Sequence, residues 1–175
     1  MPRMHPSLSV ANIAKLPPNI KTLAAAAASG SQKDTSSLIE KLPTVAPEHL
    51  PFLLPAFCSP LDSTRIDVVL SRFDSSGWES VKPDIVQVHS CMGGIGHLST
   101  YNAIPTGAFV DLWQILWPWI RFLDEYEESL SGDKCLSSRS RYWRFLSLIR
   151  LMGRDEAAQE LIDSTKGRWV VVGRG

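Results

Sequence analysis

His89, Cys91 and His97 stand close together in the segment VQVHSCMGGIGHLS. Imidazole and thiolate are common zinc ligands, but a structural zinc site takes four of them. No second pair stands at a short spacing, and His49 and Cys135 lie far along the chain. The same residue types suit nucleophilic catalysis, with Cys58 or Cys91 attacking and His89 or His97 as the base. Nothing in the sequence positions such a pair, and there is no G-x-S-x-G nucleophile elbow. Gly93-Gly94-Ile95-Gly96-His97 is the one glycine-rich patch. A dinucleotide fingerprint would need glycine where Ser99 stands, and no lysine follows for a phosphate loop. These residues therefore read as buried thiols, surface imidazoles and a loose helix end. No catalytic, cofactor-binding or metal-ligating residue is assigned, and no cofactor is expected.

The tryptophans are the stronger binding candidates. Trp113, Trp117 and Trp119 are half of the six in the chain. Trp113, Trp119 and Trp143 can be drawn lining a groove, with Arg139, Arg150 and Arg154 on the face of Trp143. An aromatic-basic face of that kind binds peptide or single-stranded nucleic acid. The competing reading puts Trp119 in the core, with Trp113 and Trp117 flanking it and the arginines paired to an acidic neighbour.

Charge patterning favours the second reading. The formal net charge is zero, which removes the bulk electrostatic case for nucleic acid or an anionic membrane. The charge is nonetheless blocked. Five acids and no base lie between Asp124 and Asp133, and six bases and no acid between Lys134 and Arg154. Folded back on each other, the blocks pair Glu127 and Glu128 with Arg139 and Arg141, each exposed pair contributing about 0–1 kcal/mol. The acidic run Asp124, Glu125, Glu127, Glu128 reads as a solvated helix end. Cys58, Cys91 and Cys135 are three, widely spaced, and suggest no disulfide framework.

The elements that must position these groups are helical. Phe109, Leu112, Leu116, Trp119, Ile120, Leu123, Tyr126 and Leu130 fall on one helix face, with Asp111, Gln114, Arg121, Glu125 and Glu128 opposite. Pro118 interrupts that helix and predicts a kink near Gln114 to Pro118, because the carbonyl of Gln114 loses its usual donor. The apolar part is too short and too charged to span a membrane, which takes about 20 residues. A second helix is predicted over residues 137–152 and a third over 154–165. Before these, prolines break the chain into short helices. They run over Leu8–Leu16, from Pro18 through the alanine run to Gly30, from Asp34 or Thr35 to Pro43, and irregularly over Pro47–Phe57. RIDVVLSRF is too brief to separate strand from helix, and Asp74 to Gly77 reads as a loop. Ile85, Val88, Met92 and Ile95 have helical spacing, with Gly93, Gly94 and Gly96 weakening the far end.

The chain of 175 residues thus reads as one all-α domain of antiparallel helix pairs. Short proline-broken helices occupy 1–57, an irregular stretch 58–77, helical hairpins 78–165, and a truncated element 166–175. The acid-free, alanine- and serine-rich amino terminus has some character of a mitochondrial transit peptide, but it carries one arginine, and Pro17-Pro18 interrupts any amphipathic helix. An intracellular, cytoplasmic location is the expectation.

The segments MHPSL, LAAAAASGS, PEHLPFLLPAF and above all FVDLWQILWPWIRFLDEY resemble a set of uncharacterised helical proteins of mushroom-forming (basidiomycete) fungi. These carry a motif close to F-x-D-L-W-x-x-x-W-x-W-I-x-F-L. Here it is Phe109, Asp111, Leu112, Trp113, Trp117, Trp119, Ile120, Phe122 and Leu123, with Pro118 where a small residue is more usual. The resemblance spans most of the chain. It implies an armadillo/HEAT-like array truncated at its carboxyl end, and it carries over no functional residue. The expectation is a non-enzymatic scaffold that binds a protein partner. The alternatives are an enzyme or small-molecule binder with a pocket near Trp113 and His97, or a fragment without independent function.

If Leu116 and Trp119 are core, Leu116→Ala lowers stability by about 2–5 kcal/mol. Chemical denaturation reads this directly, and an unchanged midpoint would place the apolar face elsewhere.

Overall fold

The computed structural model describes residues 4–129 of the chain. Among these every element is an α-helix or a 3₁₀ turn. The helices are α1 (Pro18–Ala28), α2 (Gln32–Lys41), α3 (Leu54–Cys58), α4 (Ser63–Ser76), α5 (Trp78–Thr100) and α6 (Phe109–Ser129). The predicted helices over 137–152 and 154–165, the truncated element 166–175 and the pairing of the two charge blocks lie outside the described residues.

Proline placement explains the amino-terminal half. Pro6, Pro18, Pro43, Pro47, Pro55 and Pro60 each sit in the first turn of an element, where a missing amide costs nothing. The chain therefore restarts repeatedly, and several restarts are 3₁₀ turns: Val10–Lys15, Leu42–Thr44 and Pro47–Leu53. The predicted helix over Leu8–Leu16 is such a turn. α1 ends as expected at Gly30. The amides of Gly30 and Ser31 turn back to the carbonyls of Ala27 and Ala26, at 3.0 and 3.3 Å, in a Schellman pattern. α2 starts earlier than predicted, because Ser31 caps it by accepting from the amide of Asp34 at 3.3 Å.

Residues 58–77 are a correction. They are not irregular: α4 covers Ser63–Ser76, including the segment read as a loop. Asp62 caps it by accepting from the amide of Arg65 at 2.8 Å, and Ile66 and Val69 are buried, with Leu70 and Phe73 packed at the core edge. Gly77 alone joins α4 to α5, at a φ of 79° that a side chain would oppose. The serines before it stay helical because Gly77 caps them, its amide meeting the carbonyl of Phe73 at 2.8 Å.

The glycine patch is the second correction. α5 does not fray there; it runs through Gly93, Gly94 and Gly96 to Thr100. Cys91 through Ile95 are all buried, so the helix is enclosed rather than amphipathic at this level. The enclosing element is α3, all five of whose residues are buried. The Phe57 ring lies on Gly94 so closely that a β-carbon there would overlap Cδ1, Cε1 and Cγ.

The remaining layers close around α3. It packs against α1 and α5; α1 and α2 form a hairpin, α2 lies on α5, and α4 lies on both α5 and α6. The alanines of α1 put Ala24 and Ala27 at full burial, and their small size permits close approach. The start of the described chain also meets the start of α6. The amide of His5 donates to Asp111 Oδ2 at 2.6 Å, and the turn Pro6–Leu8 packs on the turn Thr106–Ala108.

The two glycines make opposite predictions. Gly94→Ala forces Phe57 to move and costs about 1–3 kcal/mol. Gly96→Ala meets open space and gains up to about 1 kcal/mol from helix propensity. Thermal or urea unfolding of the two variants checks the signs.

Candidate functional site

The residues that could do chemistry are placed in unlike environments. Cys58 on α3 and Cys91 on α5 are both buried and free. Burial pushes the Cys58 thiol far up, and the nearby Cys91 pushes it further. Burial likewise raises Cys91 to about 12, against partial relief from the charge of Arg65 and a hydrogen bond from Gln87. A thiol held protonated at neutral pH is a poor nucleophile and a poor metal ligand. His89 is half-buried and His97 exposed on α5, while His49 lies in the turn Pro47–Leu53. Among the described residues, no three His, Cys, Asp and Glu side chains gather in a way that could hold a metal ion. No helix among them is long and apolar enough to cross a membrane.

The tryptophans divide as their spacing on α6 requires. Trp119 is fully buried, and its indole Nε1–H donates to the carbonyl of Leu61 at 2.7 Å. That bond joins α6 to the turn after α3. Leu112 and Leu116 are also fully buried, and Phe109 and Ile120 nearly so. Trp113 is 2% exposed and stacks on half-buried Trp117, with centroids 5.7 Å apart and planes at 26°. Phe122, which the sequence reading left off the apolar face, is buried and meets Phe73 edge-on at 5.8 Å. The buried side of α6 is thus wider than the predicted stripe, because α4 and the turn after α3 both pack against it. Gln114 and Arg121 are exposed as expected, and α6 continues through Pro118 as one helix. Gln114, whose carbonyl loses its usual donor to Pro118, is thereby on the solvent side.

Trp113 and His97 lie on different helices, one in the core and the other at the surface. Leu123, Tyr126, Leu130, the acidic run from Asp124, Cys135, Arg139, Arg141, Trp143, Arg150 and Arg154 fall outside the described side chains. The proposed groove beside Trp143 therefore has only its Trp113 and Trp119 wall described, and Trp119 in that wall is spent on the core.

Two polar clusters escape the sequence reading. Asp84 on α5 holds two arginines of α4, Arg65 at 3.0 Å and Arg72 at 3.1 Å. Gln87 on α5 is 2% exposed and donates to buried Thr35 of α2 at 3.0 Å. The only available signal was a glutamine and an aspartate amid the apolar positions of a helical pattern, and their partners come from elsewhere in the chain. No protein-family model matches this sequence, and no curated protein or solved structure matches it either.

The buried thiols set a pH dependence. Both are raised in the folded state, so the folded chain keeps its protons where the unfolded chain loses them. Their contribution is fully present below the ordinary value of 9.0 and is lost as pH rises toward about 12. Stability falls above pH 9 by at most about 1.4 kcal/mol per pH unit for each thiol. In Cys58→Ala/Cys91→Ala that share of the alkaline loss disappears, which urea unfolding between pH 8 and about 11 measures.

Proposed function

We propose that this chain is a non-enzymatic helical scaffold that binds a protein partner. One observation carries the reading: the two thiols, the most reactive side chains at hand, are sealed in the core and held protonated. Such an arrangement serves packing rather than turnover. The paired helices α1–α2 and α4–α5, each joined by a short link, are the kind of unit that armadillo/HEAT-like arrays repeat. The bond between His5 and Asp111 ties the first turn of the described chain to the start of α6.

Affinity purification of the full chain from its source cells, followed by mass spectrometry, tests the reading. A reproducible protein partner at near-stoichiometric yield is expected. A bound small molecule with no partner overturns it.

A further inference from the structure

The packing of α2 on α5 contains a polar seam of two rungs. In one, Gln32 Nε2 donates to Ser90 Oγ at 2.9 Å and to Ser36 Oγ at 3.2 Å. In the other, Gln87 Nε2 donates to Thr35 Oγ1 at 3.0 Å and to Cys91 Sγ at 3.5 Å. Residues 32 and 35 are one turn apart on α2, and residues 87 and 90 one turn apart on α5, so the rungs are adjacent.

The seam's donors and acceptors do not all meet one another. The Thr35 hydroxyl gives its proton to the carbonyl of Ser31 at 2.9 Å. It therefore presents a lone pair to Gln87 and fixes which end of that amide faces it. The other end, Gln87 Oε1, is buried and accepts no hydrogen bond, and the same holds for Gln32 Oε1. Ser90 and Ser36 both accept from Gln32, and each keeps its own hydroxyl proton to give. The seam thus holds two amide oxygens that meet no donor and two hydroxyl protons that meet no acceptor.

We propose that a single water molecule binds in the α2–α5 seam, donating to Gln32 Oε1 and Gln87 Oε1 and accepting from the hydroxyl of Ser90. Water has the two protons that the oxygens require and a lone pair for Ser90, with a second left for Ser36, and about three hydrogen bonds are usual for a buried water. A cation fits less well. The seam's side chains Gln32, Thr35, Ser36, Gln87, Ser90 and Cys91 include no carboxylate. The bridge ties α2 to α5 in one register, since sliding either helix by a turn separates the two oxygens.

A high-resolution crystal structure of the full chain tests the assignment. One density peak at about 2.7–3.2 Å from both amide oxygens is expected. A dry seam, or a Gln32 amide turned so that its oxygen meets both serines, overturns the proposal. Gln32→Met/Gln87→Met removes both oxygens at similar side-chain length and is expected to abolish the peak; a peak that persists there also overturns it. Water-to-protein cross-relaxation at the Gln87 side-chain amide of the unaltered chain asks the same question in solution. A long-lived water signal is expected, and its absence counts against the bridge.

Discussion

The close seating of Phe57 on Gly94 is the contact on which the described structure turns. α3 is five residues long, and a helix so short has no stability of its own. It exists because every residue in it is buried, with neighbours on both sides. Full burial of a large apolar side chain such as Phe57 contributes about 1.5–3 kcal/mol. That contribution requires α5 to present a surface without a β-carbon at Gly94. Gly94 thus gives up helix propensity, roughly 1 kcal/mol, where α5 must admit the ring.

The polar groups in this core stitch elements together rather than form a reaction centre. The indole of Trp119 answers the carbonyl of Leu61, which the tight turn after α3 leaves without a helical partner. Gln87 answers Thr35 across α2 and α5, and Asp84 holds Arg65 and Arg72 across α4 and α5. Each link joins residues from different elements, and the first two satisfy groups whose burial would otherwise cost about 1–3 kcal/mol. They specify which helix lies against which, where apolar packing alone is more forgiving.

Such a core bears on the kind of function the chain can have. Reactive side chains are most useful where solvent and substrate reach them, and here Cys58 and Cys91 are enclosed, while His5 and His49 lie apart in sequence from His89 and His97 of α5. On the proposed scaffold reading, a partner would meet the polar, mostly exposed outer faces of the helices. The zero net charge of the whole chain leaves shape and local pairing, more than long-range attraction, to guide such an encounter.

The sequence by itself determined that the described chain is helical, where prolines restart it, that Gly30 ends α1, and that Leu112, Leu116 and Trp119 face inward on α6. Those features follow from local rules: proline lacks an amide, glycine tolerates positive φ, and apolar residues recur at helical spacing. The burial of Cys58 and Cys91 was legible too. The tertiary structure alone decided that Leu54–Cys58 is the centre, that residues 63–76 form a helix, and that Gly94, in a patch expected to loosen the helix end, seats the Phe57 ring. It also decided that Gln87 and Asp84 have partners. The physical reason is common to all four. A brief apolar run, a glycine or a lone polar residue has no preferred state until a distant segment supplies the ring, the hydroxyl or the guanidinium that meets it.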